Sequence, residues 1–351
     1  MFSGLGLAPL VLVFLGAAAA VWVAGIGLSN STDALDIRLG LGEALGGAIL
    51  LAVATNLPEI AITASAALAH NLGIAIGNIL GGIAIQTVVL VVLDVAMGPE
   101  SALTTRAASL VLGLECLLVI LVLAISVMGA QLPLTRPHGR VEPATVLIAL
   151  CWLVGVWLIN RAGRGLPWHD SSGTAPGGQE KPLGHSKQLA AEKMSLARAA
   201  AVFTLGAAVT LGAGIVLERS GERIASHVGL SGVIFGATIL AAATALPEVS
   251  TGIASVKLGD YQLAVSDIFG GNAFLPVLFL LASVLSGSAV LPQAQRTDIY
   301  LTALGIVLTV IYGWGLITRP HRQLLRMGMD SLTVLVLYAA GIAGLIAVTN
   351  H

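Results

Sequence analysis

Thirteen residues of this chain occur twice. The stretch GAILLAVATNLPE at 47–59 returns 189 positions later as GATILAAATALPE at 236–248, with nine of the thirteen residues identical and no gap. The register continues through AIGNILGG at 75–82 and AVSDIFGG at 264–271, and weakly in the first spans, AGIGL at 24–28 against AGIVL at 213–217. Such self-similarity implies an internal duplication, so one half must fold much as the other does. Each copy also places a proline and a glutamate, Pro58–Glu59 and Pro247–Glu248, in the middle of a long apolar run.

Those runs set the solvent. Only 10% of the 351 residues are charged and 56% are hydrophobic, too little charge to cover a water-soluble domain of this length. Ten segments are long enough to cross a bilayer core about 30 Å thick as helices: 7–29, 44–69, 72–97, 103–129, 142–160, 197–217, 231–256, 261–286, 296–318 and 330–349. They are too long and too uniformly apolar for barrel strands, so the expected fold is an all-α polytopic membrane protein. The first run starts almost at Met1 without the pattern of a cleaved leader and reads as the first span. A net charge of −1 offers nothing to nucleic acid, and Cys116 and Cys151 sit singly in apolar segments, as buried thiols do.

A Gly-, Pro- and Ser-rich polar stretch at 161–196 interrupts the pattern and reads as a linker. It divides the chain into a first half of five spans at 1–160 and a second half of five spans at 197–351. Five is odd, so two homologous halves thread the membrane in opposite directions, an inverted repeat of the kind that places transport sites near the midplane. Loops on the linker side hold twelve Lys and Arg residues against five on the other. By the positive-inside rule the linker is expected in the cytoplasm of a plasma or inner membrane, with both termini outside.

Proline makes the repeated motif chemical. Pro58 and Pro247 lack the N–H that would bond the carbonyls of Ala54 and Ala243, so each helix is interrupted beside a glutamate. A carboxylate at mid-membrane costs roughly 2.5–3.5 kcal/mol on insertion scales, and it is a functional residue by default. Thr55 and Thr244 add hydroxyls next to the freed carbonyls. Carboxylate, hydroxyl and carbonyl oxygens are the donors that a hard cation such as Ca²⁺ selects. Asn78 and Asp267 hold matching positions one turn before the Gly81–Gly82 and Gly270–Gly271 pairs, which suit close helix approach. Asp94 and Glu115 have no counterpart in the other half, and His70 lies near an expected turn.

The paired A-T-x-L-P-E segments, each followed nineteen residues after its Glu by Asn78 or Asp267 and then Gly-Gly, resemble the α-repeats of the calcium/cation antiporter superfamily. The resemblance implies a five-plus-five inverted helical fold that exchanges Ca²⁺ or a related cation for Na⁺ or H⁺ by alternating access, with no resident cofactor. It assigns Glu59 and Glu248 as the central cation ligands, oxygens of Thr55 and Thr244 beside them, and the carbonyls of Ala52 and Ala241 facing the ions. The departures are Asn56 and Ala245 where Ser is common, Gly82 and Gly271 where Gly-Ser is common, and Gln86 and Leu275 where Asn or Asp is common. Asn56 is similar to the Gly-Asn-x-x-Glu form of the proton-coupled branch, in the first repeat alone. Asn272, beside Gly271, offers a substitute amide.

Competing readings are a continuous cation channel, a homologue that binds ions but transports poorly, and an intramembrane enzyme. The chain has no H-E-x-x-H and no G-x-S-x-G, so it is not expected to be an enzyme. Inorganic cations and the lipid bilayer are its expected partners, and the sequence carries no signal for an oligomeric state.

Overall fold

The computed structural model describes residues 2, 4–39, 53–99, 101–132, 141–163, 194–230, 232–257, 259–320 and 322–349. Ala52, the start of the second expected span and most of the 161–196 linker lie outside the described residues.

The first half begins with α1 (Leu7–Leu39), followed by a helical turn at 53–55, α2 (Leu57–Leu68), α3 (Leu72–Met97), the short α4 (Leu103–Ala107), α5 (Leu110–Ala130) and α6 (Pro143–Gly163). The second half repeats the order: α7 (Leu196–Val228), α8 (Gly232–Phe235), a π turn at Gly236–Leu240, α9 (Ala241–Thr244), α10 (Leu246–Lys257) and α11 (Tyr261–Phe274). After a 3₁₀ turn at Leu275–Val277 come α12 (Leu278–Ser286), a second 3₁₀ turn at Leu291–Gln293, α13 (Arg296–Thr318), a hairpin of β1 (Gln323–Leu324) with β2 (Met327–Gly328), and α14 (Met329–Thr349). Among the described residues, eight spans are long and apolar enough to cross a membrane, and the bent segment Gly236–Lys257 makes a ninth. The chain is an all-helical polytopic membrane protein of two similar halves.

Several boundaries depart from the spans read in the sequence. Helices α1 and α7 each run 33 residues, about 50 Å at 1.5 Å per residue, so they tilt within or project from a core of about 30 Å. The expected span at 103–129 is two helices. The backbone turns extended at Ala108 and Ser109, and the Ser109 hydroxyl caps α5 by accepting from Val111 N at 3.2 Å. Pro276 tightens the eighth span into the 3₁₀ turn between α11 and α12. The residue 323–328 hairpin carries no alternating pattern in the sequence.

The centre of the molecule is α3 and the α11–α12 span, whose most apolar windows are 72% and 67% buried, against 17% for α14. Long α1 and α7 pack side by side. Gly27 faces Val202, Gly206 faces Leu28, and Phe14 and Gly221 both meet Phe235, so the two helices run antiparallel. That is the relation opposite threading demands.

Buried carboxylates tie the ends of the central helices. Glu142 accepts from the Ser283 hydroxyl at 2.9 Å and Leu291 N at 3.2 Å, and also from Val290 N. Asp94 accepts from Leu103 N at 2.6 Å and Gly328 N at 2.7 Å. Thr104 donates to Asp330, which also takes Ser331 N at 3.0 Å.

Candidate functional site: a pair of buried glutamates

Both repeats break just ahead of the proline. At Asn56 (φ −92, ψ 16) and Ala245 (φ −79, ψ 0) the backbone leaves regular helix, and α2 and α10 begin afresh at Leu57 and Leu246. In the second repeat the two pieces bend by 48°. The proline then occupies the first turn of a new helix, where its missing N–H costs nothing, and the glutamate sits beside the helix N-terminus, whose dipole favours a negative group. A π turn at Gly236–Leu240 precedes the second break, and such turns are frequent at functional sites.

Glycines lock the breaks against the opposite half. A Cβ on Gly25 of α1 would come within 2.6 Å of Pro247 Cβ, and one on Gly214 of α7 within 3.1 Å of the Pro58 carbonyl oxygen. Positions 25 and 214 are themselves 189 apart, so the two contacts are a symmetry-related pair. Gly81 lies so close to the Ala237 backbone that any Cβ there would overlap it.

This packing seals Glu59 and Glu248 from solvent, at 0% and 2% exposure, and makes them neighbours. The charged groups nearest Glu248 are Glu59 and Asp267, both acidic. The Thr244 side chain faces Glu59 from the other half, while its hydroxyl donates to the Ala241 carbonyl at 3.1 Å. Among the described residues none of the four Glu59 and Glu248 carboxylate oxygens makes a hydrogen bond of good geometry; the donors that approach them are the Thr244 side chain, at Glu59, and the glutamates' own backbone N–H groups. Buried charges are ordinarily paired or bound to a metal, so an acid pair with so few donors is a place for a cation or for protons.

Four fully buried amides, Asn56, Asn78, Gln86 and Asn272, lie in the repeat segments. Asn56 Nδ2 and Gln86 Oε1 lie 3.2 and 3.3 Å from where a Gly271 Cβ would stand. A side chain at that position would press on both amides. Asn272 donates to the Thr87 hydroxyl at 3.2 Å, and Asn56 Nδ2 lies 3.4 Å from the Thr55 hydroxyl. Asn78, fully buried, backs onto Gly236, and its side-chain amide has no hydrogen-bond partner among the described residues. Ala241 is buried, and its carbonyl already accepts from Ala245 N at 3.0 Å as well as from Thr244.

The repeat symmetry also fails beside the glycine pairs. Gly82 faces Leu275 with a Cβ-to-methyl separation of 3.2 Å, and its counterpart, offset by 189, is the Gly271–Gln86 contact. One flank of the acid pair is therefore polar and the other apolar. Asp267 compensates in part: Thr251 donates to it at 3.1 Å and to the Glu248 carbonyl at 3.3 Å. Thr251, Thr87 and the Ser266–Glu115 bond at 2.8 Å were not anticipated in the sequence. Thr251 was within reach of the pattern, since it stands one turn after Glu248, where the first repeat has Ile62. Among the described residues no three His, Cys, Asp or Glu side chains converge as a metal cluster.

Comparison with known proteins agrees with this architecture. The family model described as sodium/calcium exchanger protein matches residues 9–161 and 198–347. Inner membrane protein YrbG of Escherichia coli is 30% identical over 100 residues, 28% of this chain and 31% of that protein. CaxA of Alkalimonas amylolytica, a proposed antiporter, is 26% identical over 277 residues, 78% of this chain and 80% of its own. Among solved structures, the H⁺/Ca²⁺ exchanger CAX superposes with a TM-score of 0.65 at 12% identity, covering 97% of this chain and 87% of that one. The sodium-calcium exchanger NCX_Mj superposes with a TM-score of 0.61 at 16% identity, covering 96% and 99%. At these identities the structural likeness is one of fold.

Proposed function

The chain belongs to the sodium/calcium exchanger protein family, and from that premise we propose that it is a cation antiporter in which Glu59 and Glu248 alternately hold Ca²⁺, or a related divalent cation, and its counter-ions, Na⁺ or protons. The observation that carries the proposal is the pair itself: two buried, neighbouring carboxylates, one from each half, with no well-formed hydrogen bond to any of their oxygens among the described residues.

The charge balance explains why such a site exchanges. A divalent ion neutralises two carboxylates, and its departure leaves two like charges together in a medium of low dielectric. Release is then favourable only when Na⁺ or protons take its place, which couples the two fluxes. Thr55, Thr244, Asn56, Gln86, Asn78 and Asn272 supply neutral oxygens toward the six to eight that Ca²⁺ takes. Ala241 serves the break by bonding Thr244, and Ala52 remains the carbonyl assigned by resemblance. Asp267, tied through Thr251 to the Glu248 helix, is a candidate proton carrier. The site opens to either face as one group of helices rocks past the other.

The two halves, 1–160 and 197–351, work as one transport unit joined by the 161–196 linker. Arg and Lys distribution supports a linker in the cytoplasm of an inner or plasma membrane and termini outside.

Reconstitution into sealed vesicles tests the mechanism. ⁴⁵Ca²⁺ uptake is compared under an outward sodium gradient, under a pH gradient, and with neither. Antiport requires uptake to appear with one of the gradients and to vanish without both; uptake that continues without a counter-gradient means a channel instead.

A further inference from the structure

Helices α5 and α13 part on the outer surface to leave a groove of about 820 Å³, whose lining does not include either glutamate. Its walls are Leu110, Leu117 and Ile120 on one side and Val310, Trp314 and Ile317 on the other. Most of them are strongly exposed, Trp314 at 66% and Ile317 at 76%, in spans that lie within the bilayer. Gly113 opens the floor, since a Cβ added there meets nothing within 4 Å.

The groove has a direction and a length. Ser109 and Arg319 stand at one end, Ile120 and Val310 at the other. The eleven residues from Ser109 to Ile120 rise about 16 Å, half of a hydrocarbon core about 30 Å thick. It therefore spans one leaflet, the reach of a single acyl chain, whereas a second transmembrane helix would need a seam across both.

Its mouth is basic. Among the described residues lining the groove Arg319 is the charged one, and exposed Arg322 and Arg326 follow before and within the hairpin. Leu324 and Leu325, 53% and 73% exposed, project from that hairpin beside the arginines. Paired apolar and cationic residues at a span end are the composition of a segment seated among lipid headgroups. We propose that this groove binds an anionic phospholipid, one acyl chain lying between α5 and α13 and its phosphate at Arg319.

The full-length protein, placed in nanodiscs of phosphatidylglycerol and phosphatidylcholine, is labelled with each lipid carrying a photoreactive acyl chain. The expected result is labelling of the Leu110–Ile120 and Val310–Ile317 segments, with phosphatidylglycerol preferred about fivefold over phosphatidylcholine, the effect of one arginine near an anionic headgroup. Arg319→Asn, a residue that tolerates the positive φ of 50° found there, should erase the preference and keep the labelling. Gly113→Leu should fill the floor and remove labelling by both lipids. Equal labelling of wild type by the two lipids overturns the headgroup assignment. Absence of labelling overturns the site, and if Leu117→Cys then cross-links two copies, the groove is an interface between protomers.

Discussion

Gly214 of the second half rests on Pro58 of the first, with its Cα so near that a Cβ would fall 2.7 Å from Ala61 Cβ. Gly25 meets Pro247 in the same way from the opposite direction. Each long helix thus touches the other half at the residue that breaks the ion-site helix. Under the proposed mechanism, rocking of one group against the other slides along these two contacts, where a side chain on either glycine would collide.

Bulk at either contact should slow transport before it harms ion binding. Gly25→Leu and Gly214→Leu are expected to cost about 1–3 kcal/mol of stability by overpacking. They should lower ⁴⁵Ca²⁺ flux by more than tenfold while leaving equilibrium Ca²⁺ binding within about threefold, because neither residue lies among the donors. Loss of binding in step with flux would show that the contacts shape the site instead of gating it.

The acid pair makes a symmetrical prediction. Glu59→Gln and Glu248→Gln keep side-chain size and remove one of the two charges facing the cation. A broken buried ion pair is worth about 3 kcal/mol, so Ca²⁺ affinity should fall roughly a hundredfold in each variant. Calorimetric titration and vesicle uptake at matched protein levels measure it. If one variant alone is impaired, the two side chains do not share an ion.

Protonation competes for the same four oxygens, which fixes the sign of the pH dependence. Lowering the pH loads the carboxylates with protons, and the apparent Ca²⁺ affinity should weaken by up to about tenfold per pH unit for each proton displaced. Equilibrium binding measured across a pH series gives the slope. In Glu59→Gln the slope should drop, since fewer protons leave on binding. A pH-independent affinity in the wild type would remove the carboxylates from the site.

Much of this architecture was legible because duplication and hydrophobicity are one-dimensional signals. The Gly47–Glu59 copy, the Pro58 and Pro247 interruptions and the span at 72–97 are all written in residue type and spacing. The meeting of Glu59 with Glu248 was an inference from symmetry, and the structure makes them neighbours. What stayed hidden depends on which face of an apolar helix points inward. In a span apolar all round, periodicity gives no face, so the partnering of Gln86 with Gly271 had no signature, and that of Thr251 with Asp267 had only the one-turn spacing from Glu248. Lengths of α1 and α7 were underestimated for a related reason. Their polar ends, with Glu218 and Glu222 bonded to Ser65 and Asn71 of the first half, read as loop when isolated from those partners. The break at Ala108–Ser109 likewise rests on one capping hydroxyl inside an apolar run.

The apolar flank offers the last prediction. Leu275 fills the space beside Gly82, at the two positions where the family resemblance places an amide or carboxylate and a hydroxyl. On the opposite flank Gln86 faces Gly271, so an amide is already accommodated at the symmetry-related place. Leu275→Asn combined with Gly82→Ser would return two oxygen donors to the apolar side. A Cβ on Gly82 comes 3.2 Å from the Leu275 methyl, and the shorter asparagine relieves that contact, so the double variant should fold where Gly82→Ser alone is crowded. Monovalent ions are held by neutral oxygens more readily than by a lone carboxylate pair, and the variant should gain Na⁺ competition against Ca²⁺ binding relative to wild type. The measurement is displacement of bound ⁴⁵Ca²⁺ by NaCl at constant ionic strength, with choline as the control salt. A displacement curve unchanged from wild type would place Leu275 and Gly82 outside the ion path and leave the acid pair as the whole of the selective machinery.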